Sequence, residues 1–200
     1  MNLPERSLRA VSVLGAFLCG LVLVFGAIQF VTSHPSSTGP ALAAVGGPFH
    51  LVDQDGKAVS DEAMKGRPFL VFFGFTHCPD VCPTTLFDMS QMLRALGPDA
   101  GRIGVLFITV DPERDTPAVL KDYLSNFDPH LRGLTGDPAA VNAALKAFRV
   151  YAKKVPLESG EYTMDHTAVV YLMDKNGRFV APFNMKRTAE AEVADLRGYL

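Results

Sequence analysis

The segment Pro68–Leu86, "PFLVFFGFTHCPDVCPTTL", decides the fold, because it joins an apolar run to a helical pattern through a turn with two cysteines. The apolar run, Phe69–Phe75, has the length and composition of a strand buried on both faces. Apolar residues at helical spacing follow it, namely Leu86, Met89, Met92, Leu93 and Leu96. Functional residues in α/β proteins gather where strands end and helices begin. We therefore expect the chemistry of this chain at Cys78 and Cys82.

Strand and helix signals alternate along the rest of the chain. A hairpin is predicted around Asp53–Gly56, and a second buried strand over Ile103–Val110. Thr116-Pro117 and Asp137-Pro138 each place a capping residue before a proline at the first helical position. These two pairs predict helices that run to about Asn126 and Phe148.

The C-terminal part predicts a third strand over Ala168–Asp174, which turns at Lys175–Gly177 into an antiparallel neighbour. A closing helix is predicted over Thr188–Leu200. This order of elements indicates an α/β class and a thioredoxin-like fold with an N-terminal hairpin.

Composition limits the classes of function. The 200 residues are 48% hydrophobic and 20% charged, which fits one globular domain and a short appendage. The formal net charge of -2 provides no basic field, so we expect no nucleic-acid partner.

The N-terminal segment differs from the rest, because Val11–Val31 contains no charged residue and approaches the roughly 20 residues that span a bilayer. Arg6 and Arg9 precede it, which keeps residues 1–10 on the cytoplasmic side. The run exceeds the about 7–15 apolar residues of a cleavable signal core, so we favour a single retained transmembrane helix. Cleavage after Ala41–Ala44 is the alternative.

Residues 32–47 are small, polar and proline-bearing, which predicts a flexible tether to a domain over residues 48–200. The expected location is a bacterial inner membrane, crossed once, with the domain in the periplasm. A mitochondrial inner membrane is less favoured, because a transit peptide would be amphipathic and rich in Arg and Ser.

Cys78 and Cys82 are the two thiols of the predicted exported domain, since Cys19 lies inside the apolar run and is interpreted as inert. A structural disulfide normally closes a longer loop, because the stabilisation grows with the enclosed chain. A helix N-terminus also favours the thiolate, which is both a nucleophile and a soft metal ligand. The pattern thus leaves a disulfide, a catalytic thiol pair and a metal site open.

His166 is the histidine that could complete a metal site, because it is predicted in the loop just before a central strand, where the thioredoxin fold keeps a residue against its active-site cysteines. A histidine that only bonds the backbone is the alternative. His77 is less favoured, because neighbouring residues point in different directions. The other histidines are interpreted as tether, strand and loop residues, namely His34, His50 and His130.

Two cysteines and a histidine favour copper over other metals. Soft thiolates select Cu(I), and a trigonal set with histidine also suits Cu(II). Structural zinc sites usually have four protein ligands at paired short spacings, which this chain lacks.

Several segments together resemble the Sco/SenC family of copper chaperones that serve cytochrome c oxidase assembly. They are "GGPFHL", "VFFGFTHCPDVCPTTL", "LFITVDPERDTPAVLKDYL", "LRGLTG" and "MDHTAVVYLMDKNGRFV". The resemblance implies a thioredoxin-like domain on one membrane anchor, with copper bound by Cys78, Cys82 and His166. It also implies cytochrome c oxidase subunit II as the recipient, at its CuA site. An upstream copper donor protein is a further candidate partner.

Two functions follow from these residues. The first is a metallochaperone that carries one copper ion, as Cu(I), Cu(II) or both. The second is a thiol–disulfide oxidoreductase that reduces the CuA cysteines or another exported protein, with Cys78 and Cys82 as a redox-active pair that forms a disulfide when oxidised. A thiol peroxidase is disfavoured, because Pro79 occupies the position where such an enzyme has threonine.

Overall fold

The computed structural model describes residues 20–22, 24–25, 29 and 45–200. The chain divides into two units, Met1–Ala43 and Ala44–Leu200. The predicted anchor at 11–31 lies mostly outside the described residues, as do residues 1–10 and most of the predicted tether. Among the described residues, no helix is both long enough and apolar enough to cross a membrane.

The second unit contains nine strands, four α-helices and two short 3₁₀ helices within residues 45–200. The strands are β1 His50–Asp53, β2 Ala58–Ser60, β3 Phe69–Gly74, β4 Gly104–Thr109, β5 Leu131–Thr135, β6 Ala152–Pro156, β7 Tyr162–His166, β8 Val170–Met173 and β9 Phe179–Phe183. The helices are α1 Val81–Leu96, α2 Pro117–Leu124, α3 Pro138–Ala147 and α4 Ala189–Arg197, with 3₁₀ turns at Glu62–Met64 and Gly97–Arg102.

Seven strands form one mixed sheet in the order β2-β1-β5-β4-β3-β8-β9. The central strands β3 and β4 are parallel, and every residue of both is buried. β8 runs antiparallel to β9, as the turn at Lys175–Gly177 predicts, and it also runs antiparallel to β3. The carboxyl end of β3, which leads to the two cysteines, is therefore fixed in the middle of the core.

The N-terminal hairpin and the helix caps are confirmed. β1 and β2 pair antiparallel around the predicted turn. The Thr116 side chain accepts a hydrogen bond from the Val119 N–H, and Asp137 accepts one from the Ala140 N–H.

Three strands are absent from the prediction. β5 contains Gly133, which breaks the apolar pattern of the strand sequence. A Cβ atom there would lie 2.6 Å from Leu124, so the glycine lets α2 approach the sheet. β6 and β7 form a separate two-stranded sheet, which we call the histidine hairpin (residues 152–166). Its first strand is mostly exposed and contains Lys153 and Lys154, so it lacks a strand-like apolar pattern.

Candidate metal centre

The two cysteines lie where β3 passes into α1, in a segment that we call the cysteine turn (residues 75–82). The Cys78 N–H donates a hydrogen bond to the Phe75 carbonyl at 3.2 Å. The Cys82 N–H, in the first turn of α1, donates to the Cys78 sulfur at 3.4 Å. Both thiols are free, with Cys82 fully buried and Cys78 half-buried. One sulfur thus belongs to the core and the other faces outward.

Gly74 makes this arrangement sterically possible. A Cβ atom at Gly74 would lie 2.6 Å from the Phe107 ring and 2.8 Å from the Cys82 sulfur. Because both neighbours are fully buried, neither has open space into which it could move. A side chain at this position is therefore excluded by the buried sulfur.

The carboxylate of the fully buried Asp115 stabilises the cysteine turn through hydrogen bonds. Its carboxylate accepts hydrogen bonds from the Thr76 N–H at 3.1 Å, the Thr76 hydroxyl at 2.6 Å and the Thr109 hydroxyl at 2.6 Å. Burial raises the pKa of Asp115, and these hydrogen bonds act in the opposite direction. Asp115 lies within "VDPERDTP", a segment whose charged residues a helix cap and salt bridges explain equally well, so the sequence alone does not predict its contact with Thr76.

His166 approaches the cysteines from the histidine hairpin. Its Nε2 atom lies 3.7 Å from the Cys82 sulfur. Its Nδ1 atom lies 3.1 Å from the Thr167 carbonyl oxygen, and a carbonyl can only accept. A neutral ring in that hydrogen bond carries its proton on Nδ1 and turns the Nε2 lone pair toward the sulfurs. The backbone contact offered as an alternative to ligation instead orients the ring for it.

The prediction that His166 lies in a loop is wrong, because it is the last residue of β7. The loop comes after it, at residues 167–169, and leads into β8. Pairing of Ala152 with His166 across the hairpin gives the ring a fixed backbone.

The ligand atoms of Cys78, Cys82 and His166 all lie within 4.8 Å of one another. Among the described residues, no other group of three such side chains meets this criterion. His77 stays outside it and lies 3.1 Å from the Thr76 hydroxyl through Nδ1. His130 pairs with Asp128, and His50 begins β1.

Burial raises the pKa of the Cys82 thiol and so opposes the stabilisation of its thiolate that is expected at a helix N-terminus. The cost of burying an unpaired charge is the largest cause, a hydrogen bond with the Phe75 backbone acts in the opposite direction, and nearby Cys78 and Asp115 act in the same direction as burial. A metal that binds this sulfur must displace its proton. Metal loading is therefore expected to release protons.

The donor set fits copper. Two sulfurs and one imidazole nitrogen form a soft group with few ligands, which suits Cu(I) and, in a trigonal arrangement, Cu(II). A fourth protein ligand of the kind found in structural zinc sites is absent from the described part of the chain.

A groove of about 530 Å³ opens beside the cysteine turn. Its lining includes Asp80 and Val81 at the start of α1, Val169 before β8, and Phe183 and Met185 at the end of β9. None of the three ligand residues lines this groove, which therefore lies beside the site. Access to the site itself is through Cys78 and His166, which are partly exposed, because Cys82 is fully buried.

A mixed α/β domain with a cysteine pair at a strand–helix junction and a histidine brought against it defines a class of thioredoxin-like metal- or thiol-exchange proteins. Comparison with known proteins narrows the class. The sequence profile described as SCO1/SenC matches residues 37–200. The chain belongs to the SCO1/SenC family, which confirms the resemblance.

Relatives support the same assignment. Copper-bound ScoI of Bradyrhizobium japonicum is 64% identical, with a TM-score of 0.77 over 78% of this chain and 100% of that one. Copper-bound yeast Sco1 is 38% identical, with a TM-score of 0.69 over 78% of this chain and 91% of that one. An SCO2-like protein of Rickettsia prowazekii is 39% identical over 76% of this chain and 75% of its own length. The predicted thioredoxin-like α/β fold is confirmed.

Proposed function

We propose that this chain is a copper chaperone that binds one copper ion through Cys78, Cys82 and His166 and delivers it to the CuA site of cytochrome c oxidase subunit II. The observation that carries the proposal is the convergence of these three ligand atoms within 4.8 Å in a chain of the SCO1/SenC family. Copper is the cofactor that this group and the copper-bound relatives support.

The unequal exposure of the ligands suits transfer. Cys82 is fully buried, whereas Cys78 and His166 are partly exposed. A thiolate of the recipient can approach from the side of Cys78 and replace ligands one at a time, so copper is never released to water. Loading from an upstream copper donor protein would use the same steps in reverse.

The proposal includes a location. A single membrane anchor at residues 11–31 and a tether at residues 32–47 would hold the domain on the periplasmic side of a bacterial inner membrane. The support is the uncharged run with Arg6 and Arg9 before it. Determination of the mature N-terminus tests this part, because a chain that begins near Val45 would have lost the anchor.

A thiol–disulfide oxidoreductase is the second candidate, and two free thiols at an accessible strand–helix junction favour it. The Cys78 thiolate would attack the recipient disulfide, and Cys82 would then resolve the mixed disulfide after losing its proton. Two electrons pass to the recipient, which leaves as a dithiol, and a Cys78–Cys82 disulfide remains. An external dithiol reductant would restore the pair.

Titration of the reduced full chain with Cu(I) and Cu(II), followed by absorption and mass, tests the first candidate. We expect one copper per chain, and we expect His166→Ala to lower copper affinity strongly while disulfide reduction stays nearly intact. Mixing the loaded chain with the CuA domain of subunit II should move the metal. Unchanged copper affinity in His166→Ala, or a stoichiometry other than one, would overturn the three-ligand proposal.

A further inference from the structure

The histidine hairpin pairs with no strand of the seven-stranded sheet among the described residues. An isolated two-stranded hairpin is marginally stable at best in water. The position of His166 over Cys82 therefore depends on side-chain contacts between the hairpin and the body of the domain.

Arg114 makes several of these contacts. Its guanidinium carbon lies 3.7 Å from the centre of the Tyr162 ring, and its Nη1 donates to the Tyr162 carbonyl at 3.0 Å. Its Nε donates to Asp111 at 2.5 Å, and the Tyr162 hydroxyl donates to the other oxygen of Asp111 at 2.9 Å. Asp111, Arg114 and Tyr162 thus form a closed set of contacts, which we call the arginine clamp.

The arginine clamp also reaches the site itself. The Arg114 guanidinium lies 6.0 Å from the centre of the Phe75 ring, and that ring meets the His166 ring edge-on at 5.7 Å. Phe75 is the first residue of the cysteine turn. One side chain therefore contacts both the hairpin and the aromatic residue against which the histidine packs.

The Arg114 side chain is only 18% exposed, and its Nη2 atom is buried without a hydrogen-bond partner among the described residues. Leaving such a nitrogen without a partner is unfavourable, and contact with aromatic faces partly offsets this cost. A guanidinium can stack on a ring and hydrogen-bond in its plane at the same time, whereas an ammonium cannot. The position thus uses properties specific to arginine.

We propose that Arg114 is a positioning residue for His166, acting through Tyr162 and Phe75. The role of His166 as a copper ligand rests on the proposed function, but the holding of the hairpin does not. If Arg114 served only local stability, its replacement would increase amide exchange in its own loop and leave amide exchange in the hairpin unchanged.

Hydrogen exchange in the reduced, metal-free full chain tests the clamp without copper. We expect Arg114→Gln to increase amide exchange across Tyr162–His166 while β3 and β4 keep their protection. Arg132→Gln is the matched control, because Arg132 on β5 makes a similar part-buried pair with Asp53 on β1, at 3.1 Å and 2.5 Å, and neither strand pairs with the hairpin. Arg114→Lys should restore little of the protection.

Copper(II) binding provides the second readout. Residues that orient a metal ligand typically contribute about 10- to 100-fold in affinity, so we expect a loss of this size in Arg114→Gln. Tyr162→Leu should reproduce the loss, and the double variant should be no worse than either single one, because both remove one contact. The thiolate-to-copper absorption band should shift toward that of His166→Ala.

Wild-type hairpin exchange in both Arg114→Gln and Tyr162→Leu would overturn the proposal, as would an increase no greater than that in Arg132→Gln. If Arg114→Gln does not fold, Tyr162→Leu at the exposed end of the contact decides the question. A wild-type chain that binds no copper would sink the proposed function instead, and hydrogen exchange would still decide whether Arg114 holds the hairpin.

Discussion

Cys82 is fully buried at a junction of the seven-stranded sheet, whereas His166 ends a hairpin that is joined to the domain by side chains. The cysteine turn is fixed by backbone hydrogen bonds and by Asp115 beneath it. The histidine hairpin relies on the arginine clamp. The site therefore has two parts: the cysteine turn, which is fixed by the core, and the histidine hairpin, which packs onto the domain through side chains.

This difference matters for the proposed function, which requires the protein both to hold and to release a metal. A ligand fixed in the core defines where the ion lies, and a ligand on a docked element can leave while the others stay bound. Local opening free energies in proteins range from near zero to the global value, and elements with few buried contacts lie at the low end. We expect the histidine side to open first.

In the cysteine turn, removal of the buried Cys82 sulfur is expected to have the largest effect on copper binding. Cys82→Ser should abolish Cu(I) binding, because a neutral hydroxyl is a poor ligand for a soft ion. Competition with a chromophoric Cu(I) chelator measures the affinity. Cys19→Ser in the N-terminal apolar run is the control and should bind as wild type. Wild-type affinity in Cys82→Ser would show that the ion lies elsewhere.

Gly74→Ala tests the packing around the buried cysteine. The added Cβ would meet the Phe107 ring and the Cys82 sulfur at 2.6 Å and 2.8 Å, and overpacking of this kind typically costs about 1–3 kcal/mol. We expect Gly74→Ala to lower the free energy of unfolding by that amount and to weaken Cu(I) binding. Gly101→Ala, with nothing within 4 Å of the added atom, is the control for denaturant unfolding. An equally stable Gly74→Ala would mean that the cysteine turn is not rigid.

The packing of α4 against α1, the helix that contains Cys82, should also depend on pH. Glu192 on α4 is buried near Asp88 of α1, and its Oε1 makes no hydrogen bond to the described residues. Burial, followed by the charge of Asp88, raises the pKa of Glu192 from 4.5 to about 7. Because the folded pKa lies above the unfolded one, the stabilisation is complete below about pH 4.5 and is lost as the pH rises through about 7.

Glu192→Gln should remove this dependence. We expect wild type to lose on the order of 1 kcal/mol more than the variant between about pH 5 and pH 8, with allowance for solvent screening. Thermal unfolding across that range measures the slope, and the exchange of hairpin amides should not follow it. Identical slopes in the two proteins would show that Glu192 is not the titrating group.

The cysteine side of the site is easier to predict from the sequence than the histidine side. The buried strands, the helix caps at Thr116 and Asp137 and the cysteine pair follow from local patterns that tertiary contacts leave intact. His166 was reached through the geometry expected of a thioredoxin-like fold and through the family resemblance, because it lies 84 positions from Cys82. Its strand was missed, since an exposed, lysine-bearing hairpin has no periodic signal.

The residues that hold the site could not be predicted for a related reason. Asp115 contacts Thr76 across 39 positions, and Arg114 contacts Tyr162 across 48. Within "VDPERDTP" both look like ordinary turn and capping residues. The raised pKa of Cys82 was missed because it comes from the depth of the core, which spacing does not report.

The smallest expected effect comes from removing a surface charge next to the arginine clamp. Lys154 pairs with Glu113 at 2.5 Å and lies 4.6 Å from the Tyr162 ring, but both charged side chains are largely exposed, at 44% and 58%. Exposed ion pairs add little to stability and are screened by salt. Lys154→Ala should therefore increase hairpin exchange only slightly, and the difference from wild type should vanish at high salt. Hydrogen exchange at low and high ionic strength measures both. If Lys154→Ala loosens the hairpin as much as Arg114→Gln does, surface charge rather than the buried arginine holds His166 in place.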